Sequence, residues 1–222
     1  MMNKQFFTLY QYLGPLLLTP LSFWLWWNTY EGDLALIMVA WLIPILFAYI
    51  VPGIGTNVMK VWEFNTRYRL GKFRPHHGFV FGSATSMMAW LCHLDFSTTF
   101  FAAFQMGFIV ASVLGFWNLI YDIKALKSGI LLVYNQPWAD GKDDEVIAMD
   151  YAPVFFAGFG LVYGVGIGMA EMLQTHKMLT PVAASGYVLL LLVLSIAFPV
   201  ALYRYYSYKN HGHSGCKPIK KI

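Results

Sequence analysis

The residues of this chain best suited to chemistry gather at the ends of its apolar segments. Residues 66–83, "TRYRLGKFRPHHGFVFGS", thread Arg67, Arg69, Lys72 and Arg74 with aromatic rings, then set His76 and His77 before an apolar run. Imidazoles titrate near neutrality and suit proton shuttling. Arginine presents a planar fork that matches phosphate or carboxylate. Neighbouring residues on a helix point about 100° apart, so the histidine pair is not expected to share one metal ion, and no metal site is assigned.

Two small-residue stripes lead toward the same depth. One is Ala103, Gly107, Ala111 and Gly115; the other is Ala157, Gly160, Gly164 and Gly168. The first continues along its helix face to Asn118 and Asp122, and Asp150 lies on the continuation of the second. Close helix packing is the plain reading of such stripes. The sharper reading is a slot for an apolar chain, lined by Gly107, Gly115 and Gly164, with Asp122, His76, His77, Asn118 and Asp150 as a proton-transfer group at its mouth. Arg67, Arg69 and Arg74 would then clamp an anionic headgroup. Gly82 lies off both stripes, and a bulky side chain there is expected to do less damage than one at Gly164 or Gly107. A rival site lies at the opposite ends of these segments, where His93, Asp95, Glu171 and His176 fall near the other interface; ionisable groups at membrane depth are functional candidates.

These groups need a scaffold, and composition says what kind. The 222 residues are 58% hydrophobic and 12% charged, with a mean hydropathy of +0.54. Soluble domains carry about 25% charged residues. Six apolar segments are expected, at about 8–29, 34–55, 78–94, 98–121, 151–173 and 181–203, each near the length that crosses a ~30 Å hydrocarbon layer. The reading is an all-α integral membrane protein. Residues 1–203 would form a six-helix transmembrane domain, including an amphipathic segment at 56–77 and a loop at 122–150, and residues 204–222 a basic tail touching anionic lipid. Fourteen of the fifteen Lys and Arg residues fall on one side of this arrangement, Lys177 being the exception. That side is expected to be cytoplasmic, with both termini inside, in a plasma or inner membrane. Within 122–150, two β-prone runs around "NQPWADGKDD" suggest a hairpin, with an interfacial helix over 123–133 as the alternative.

The net charge of +4 is spread between apolar runs rather than gathered in a groove-sized patch, which argues against nucleic acid. The two cysteines, Cys92 and Cys216, form no disulfide framework. No phosphate-binding glycine loop, dinucleotide fingerprint or metalloprotease helix motif occurs. The sequence identifies no cofactor. Three classes of function fit: an enzyme acting on a lipid or isoprenoid amphiphile at the cytoplasmic interface, an accessory or assembly subunit of a larger membrane complex, with or without bound pigment, and a small transporter. The bilayer is a partner in all three.

Overall fold

The structure, a computed structural model, describes residues 4–220. It is all-helical but for one two-stranded ribbon. Helix α1 spans Lys4–Thr29. The second segment is one continuous rod, Leu34–Val58, built from α2 (Leu34–Ile37), a π-helical turn (Met38–Leu42), α3 (Ile43–Gly53) and a second π turn (Ile54–Val58). Then follow α4 (His77–Cys92), α5 (Phe100–Lys127), α6 (Gln136–Ala139), α7 (Asp144–Met149), α8 (Ala152–Thr175) and α9 (Pro181–His211).

Among the described residues, four stretches are long and apolar enough to cross a membrane: Leu34–Val58, Phe100–Lys127, Asp144–Thr175 and Pro181–His211. These mark the chain as suited to an integral membrane location. The two remaining long helices fall short for different reasons. Helix α4 has 16 residues, or about 24 Å at the α-helical rise. Helix α1 is long enough, but its Thr, Gln, Tyr and Pro residues dilute its apolar character.

Bundle packing follows from the stripes. Helices α5 and α8 run antiparallel with their small residues in register. A Cβ added to Gly164 would lie 2.8 Å from the Gly107 Cα, one on Gly160 2.8 Å from the Ala111 Cα, and one on Gly168 2.6 Å from the Ala103 Cα. At Gly115 the neighbour is the Ala157 Cβ, 3.1 Å away. Backbone therefore meets backbone along this seam. The expected slot lined by Gly107, Gly115 and Gly164 is absent, because the facing helix fills it. Gly82 is no exception either: a Cβ there would sit 2.5 Å from the Ile45 Cα, so α4 crosses α3 just as closely.

Pro44 explains the first π turn. Proline has no N–H, so the Ala40 carbonyl, four residues earlier, loses its helical partner. Two hydroxyls from other helices take its place, Tyr163 from α8 and Ser86 from α4. Trp26 of α1 donates in turn to Ser86 Oγ at 3.0 Å. The freed backbone group thus ties four segments together at depth, as it must where no water is available.

At the end of the bundle holding the start of α1 and the end of α5, the connections fold into a cap. Strand β1 (Trp62–Phe64) pairs antiparallel with β2 (Leu131–Val133), Glu63 opposite Leu132. The expected hairpin within 122–150 does not form. β2 instead finds its partner across the bundle in the 56–77 segment, α5 runs on to Lys127, and "DEVIAM" is helix α7. Residues 56–77 are part of this cap, with Val61, Phe64, Phe73 and Arg74 buried and Arg67, Tyr68, Arg69 and Leu70 exposed. Phe64 and Phe73 are buried in a second core with Phe7, Leu126, Ile130 and Ile147. Burying these apolar side chains stabilises the cap by roughly 1.5–3 kcal/mol each. A tight turn aims this strand end inward. Leu70 and Phe73 exchange both backbone hydrogen bonds across Gly71 and Lys72, and Gly71 has φ +63° with the Asn57 Oδ1 where a Cβ would be.

Candidate functional site

Arg74 follows that turn directly. Its carbonyl accepts from His77 N–H at 2.9 Å, starting α4, and its side chain enters the bundle, only 2% exposed. The guanidinium lies over the Phe64 ring, 4.9 Å from the centroid, and donates from Nη2 to His77 Nδ1 at 2.7 Å. Arginine cannot accept a hydrogen bond, so Nδ1 must carry the lone pair and Nε2 the proton of a neutral imidazole. Arg74 Nε is buried with no partner. Among the described residues no carboxylate lies within ion-pair distance of it.

Arg74, His77, Asn118 and Asp122 all line one cavity of about 130 Å³ beneath the cap. Its remaining wall is largely aromatic and aliphatic, including Phe47, Phe81, Phe155 and Leu131 from four different elements and Ile130 from the α5–β2 connection. Asp122 is 7% exposed and accepts from the Tyr151 hydroxyl at 2.7 Å through Oδ2. Asn118 donates to the Leu114 carbonyl at 2.8 Å, leaving its amide oxygen and one N–H for the cavity. A smaller cavity of about 80 Å³ lies between α1, α4 and α5 and shares the wall Arg74, His77, Phe81, Asn118 and Tyr121. A carboxylate, a neutral imidazole and an amide around one apolar space can position a polar head and move a proton on it.

Other expected members lie elsewhere. His76 does not line either cavity; it stacks on Tyr12 of α1, 5.3 Å between centroids, and burial, followed by the Arg74 charge, pushes its imidazole below the usual histidine value. Arg67 and Arg69 are exposed on the outer turn, so the three-arginine clamp reduces to Arg74. Asp150 is the C-cap of α7 and is tied by its two oxygens to His211 Nε2 at 2.6 Å and Asn135 Nδ2 at 3.0 Å. It braces the cap and does not reach the cavity.

Five polar lining residues were not anticipated: Tyr121, Tyr134, Asn135, Tyr151 and Tyr203. Only Asn135 had a readable signal, as an Asn preceding "QPWA" is an N-cap pattern, and it does cap α6 through Trp138 N–H. Tyr134 is held by burial, and secondarily by Glu63, with its hydroxyl pKa pushed up to about 12. Lys72, 2.8 Å from Glu63, keeps that carboxyl below its ordinary range.

The tail also belongs to the site. Helix α9 extends to His211, and the chain reverses at Gly212 (φ +74°). Ile219 N–H donates to the Tyr134 carbonyl at 2.9 Å, His213 Nε2 to Gln136 Oε1 at 3.2 Å, and Gly215 lines the cavity. The tail thus folds back as a strap over the cavity. Gly215 has φ +66° and a Cβ there would be 2.7 Å from the Tyr203 ring, so Gly215→Val should detach the strap. In a Cys92→Ser background, maleimide labelling of Cys216 should then accelerate by about tenfold, the factor for a loss of about 1.4 kcal/mol in strap closure. An unchanged rate would mean the strap is not closed in solution.

The rival outer residues split. Glu171, fully buried, accepts from His93 Nε2 at 2.6 Å, Tyr30 hydroxyl at 2.7 Å and Ser97 N–H at 2.8 Å. Asp95 and His176 are exposed and take no part. Glu171 and His93 line neither cavity described above. The cluster joins the α4–α5 connection to α8 and to the end of α1. Among the described residues, no three His, Cys, Asp or Glu side chains are grouped to hold a metal ion. No family model matches this chain, and no curated protein or solved structure matches it either.

Proposed function

We propose that this protein is a membrane-embedded enzyme acting on a lipid- or isoprenoid-type amphiphile at the cytoplasmic interface. The observation that carries the reading is the convergence of His77, Asn118, Asp122 and Arg74 on one cavity at the end of the bundle. Asp122 is the proton-transfer group, oriented by Tyr151. His77, its tautomer set by Arg74, offers an N–H to the reacting head, and Asn118 positions it. A volume of about 130 Å³ suits a headgroup or one ring, close to the ~150 Å³ site that holds a benzene. The chain of a longer substrate lies outside it.

Loss of a general acid or base typically costs about 10²–10⁴ in rate. Asp122→Asn should therefore trap substrate. Wild type and variant are extracted from native membranes, and their bound ligands compared by mass spectrometry. The variant is expected to be enriched at least tenfold in a species whose mass differs from the wild-type ligand. The same ligand at the same occupancy in both would mean that the cavity holds without converting, which favours the accessory-subunit reading.

The orientation belongs to the same proposal: six spans, with the cap and both termini in the cytoplasm. Its support is the charge bias, since Lys60 to Arg74, Lys124 to Lys142 and Arg204 to Lys220 all attach to the capped end. A cysteine at Asp95, exposed between α4 and α5, should label from outside intact cells, and one at Lys142 should not. The reverse pattern would overturn the orientation. Labelling of both from one side would remove α5 from the spans.

A further inference from the structure

We infer that the smaller cavity is a receptor for the anionic group of an amphiphile, a carboxylate or a phosphate monoester, seated on Arg74 with its chain running along α4 toward the membrane interior. This rests on the proposed function and narrows its substrate class. The first ground is the guanidinium itself. A cation this deeply buried is costly unless compensated. Its contacts are the Phe64 face, the neutral His77 ring and the Tyr121 hydroxyl, all uncharged, and Nε has no partner.

The second ground is which side of Arg74 suits an anion. The larger cavity contains the Asp122 carboxylate; the smaller one is lined by no acid. At its Arg74 end the smaller cavity offers Tyr10, Tyr121 and Asn118, and the start of α4 adds the positive end of a 16-residue helix. From there the lining becomes apolar. Val80, Ala84 and Met88 follow one another at four-residue intervals along α4, with Trp117 of α5 opposite. That spacing makes a stripe on one helix face.

The third ground is access. Helices α1 and α5 meet through Phe7 and Tyr10 against Tyr121, at the capped end. Trp117 is 52% exposed, so the wall of the cavity is also the outer surface of the bundle. A chain can lie between α1 and α5 and continue into lipid, which a cavity of about 80 Å³ alone would not hold. The shared wall of Arg74, His77, Phe81, Asn118 and Tyr121 places a head on Arg74 beside the larger cavity, which Asp122 lines.

Purified protein in neutral-lipid nanodiscs is incubated with three photoactivatable probes sharing one diazirine alkyl chain: a fatty acid, an alkyl phosphate and an alkyl alcohol. Crosslinked peptides are mapped by mass spectrometry. The acid or the phosphate should label the Ala84–Met88 stretch or Trp117 at least tenfold more than the alcohol, and whichever labels more names the anion. Arg74→Gln should reduce that probe to the level of the alcohol, while Arg67→Gln and Arg69→Gln leave it unchanged. Ala84→Trp, which fills the chain path and keeps Arg74, should abolish labelling by all three. Equal labelling by anions and alcohol in the wild type overturns the anion receptor and leaves the amphiphile reading standing. No labelling by any probe overturns both, and the wild-type comparison holds even if Arg74→Gln does not fold.

Discussion

Gly164→Leu should abolish accumulation of folded protein. The Cβ alone would stand 2.8 Å from the Gly107 Cα and 3.0 Å from the Val110 Cβ. Backbone cannot swing aside as a side chain can, so the two helices must separate. Overpacking a tight interior costs about 1–3 kcal/mol, occasionally more, and here the rigid neighbour puts the cost at the upper end or beyond. A drop of about 3 kcal/mol is more than a hundredfold in the folded-to-unfolded ratio. The separation would also be propagated along the seam, because Gly160 and Gly168 make their own backbone contacts one turn away on each side. The readout is the monodisperse fraction after detergent extraction, followed through a thermal ramp. Gly82→Leu should behave as badly, since Ile45 backbone faces it. Gly186→Leu on α9 is the control, as nothing lies within 4 Å of its added Cβ. Tolerance of Gly164→Leu equal to that of Gly186→Leu would mean that α5 and α8 do not meet as described.

Glu171→Ala should be nearly as damaging, for an electrostatic reason. Three donors from the end of α1, the end of α4 and the α4–α5 connection converge on this one fully buried carboxylate. Removing it strands a tyrosine hydroxyl, an imidazole N–H and a backbone N–H away from water. Breaking such a buried polar cluster costs about 3–5 kcal/mol. Glu171→Gln keeps one acceptor oxygen but turns an amide N–H toward the remaining donors, so it should fall between wild type and alanine. The loss should appear in thermal stability in detergent, while ligand retained per folded molecule stays at the wild-type level. Loss of ligand with stability intact would move the functional site to this outer cluster.

The sequence carried the scaffold better than the site. The α5 and α8 stripes were readable because small residues every fourth position make a smooth face on a helix, while the register that sets Gly164 on Gly107 comes from the structure. Gly82 was misjudged because a single small residue carries no period; only the Ile45 backbone opposite it makes it critical. The cap was illegible for a similar reason. Strand β2 is three residues long, and its partner β1 lies about seventy positions earlier, so no local turn signal could join them. Asp122 and His77 could be placed at one depth by counting helical turns, but whether Arg67, Arg69 or Arg74 accompanied them depended on the turn at Gly71. That turn points Arg74 inward and leaves the other two outside. Asp150 had the right depth and the wrong neighbours, since His211 comes from a helix extension that the hydrophobic run ending near residue 203 did not suggest. Tyr151 and Tyr203 were beyond reach, because among 14 tyrosines nothing local distinguishes those that line a cavity from those that sit at an interface.

A density map of the protein purified from its native membrane, without added lipid, bears most directly on the central claim. The account predicts ligand density in contact with Arg74 and His77, with part of it within one-water reach of Asp122 and a chain leading out between α1 and α5. A map in which the space beneath the cap is collapsed, with Arg74 paired to a carboxylate of the protein itself, would contradict it.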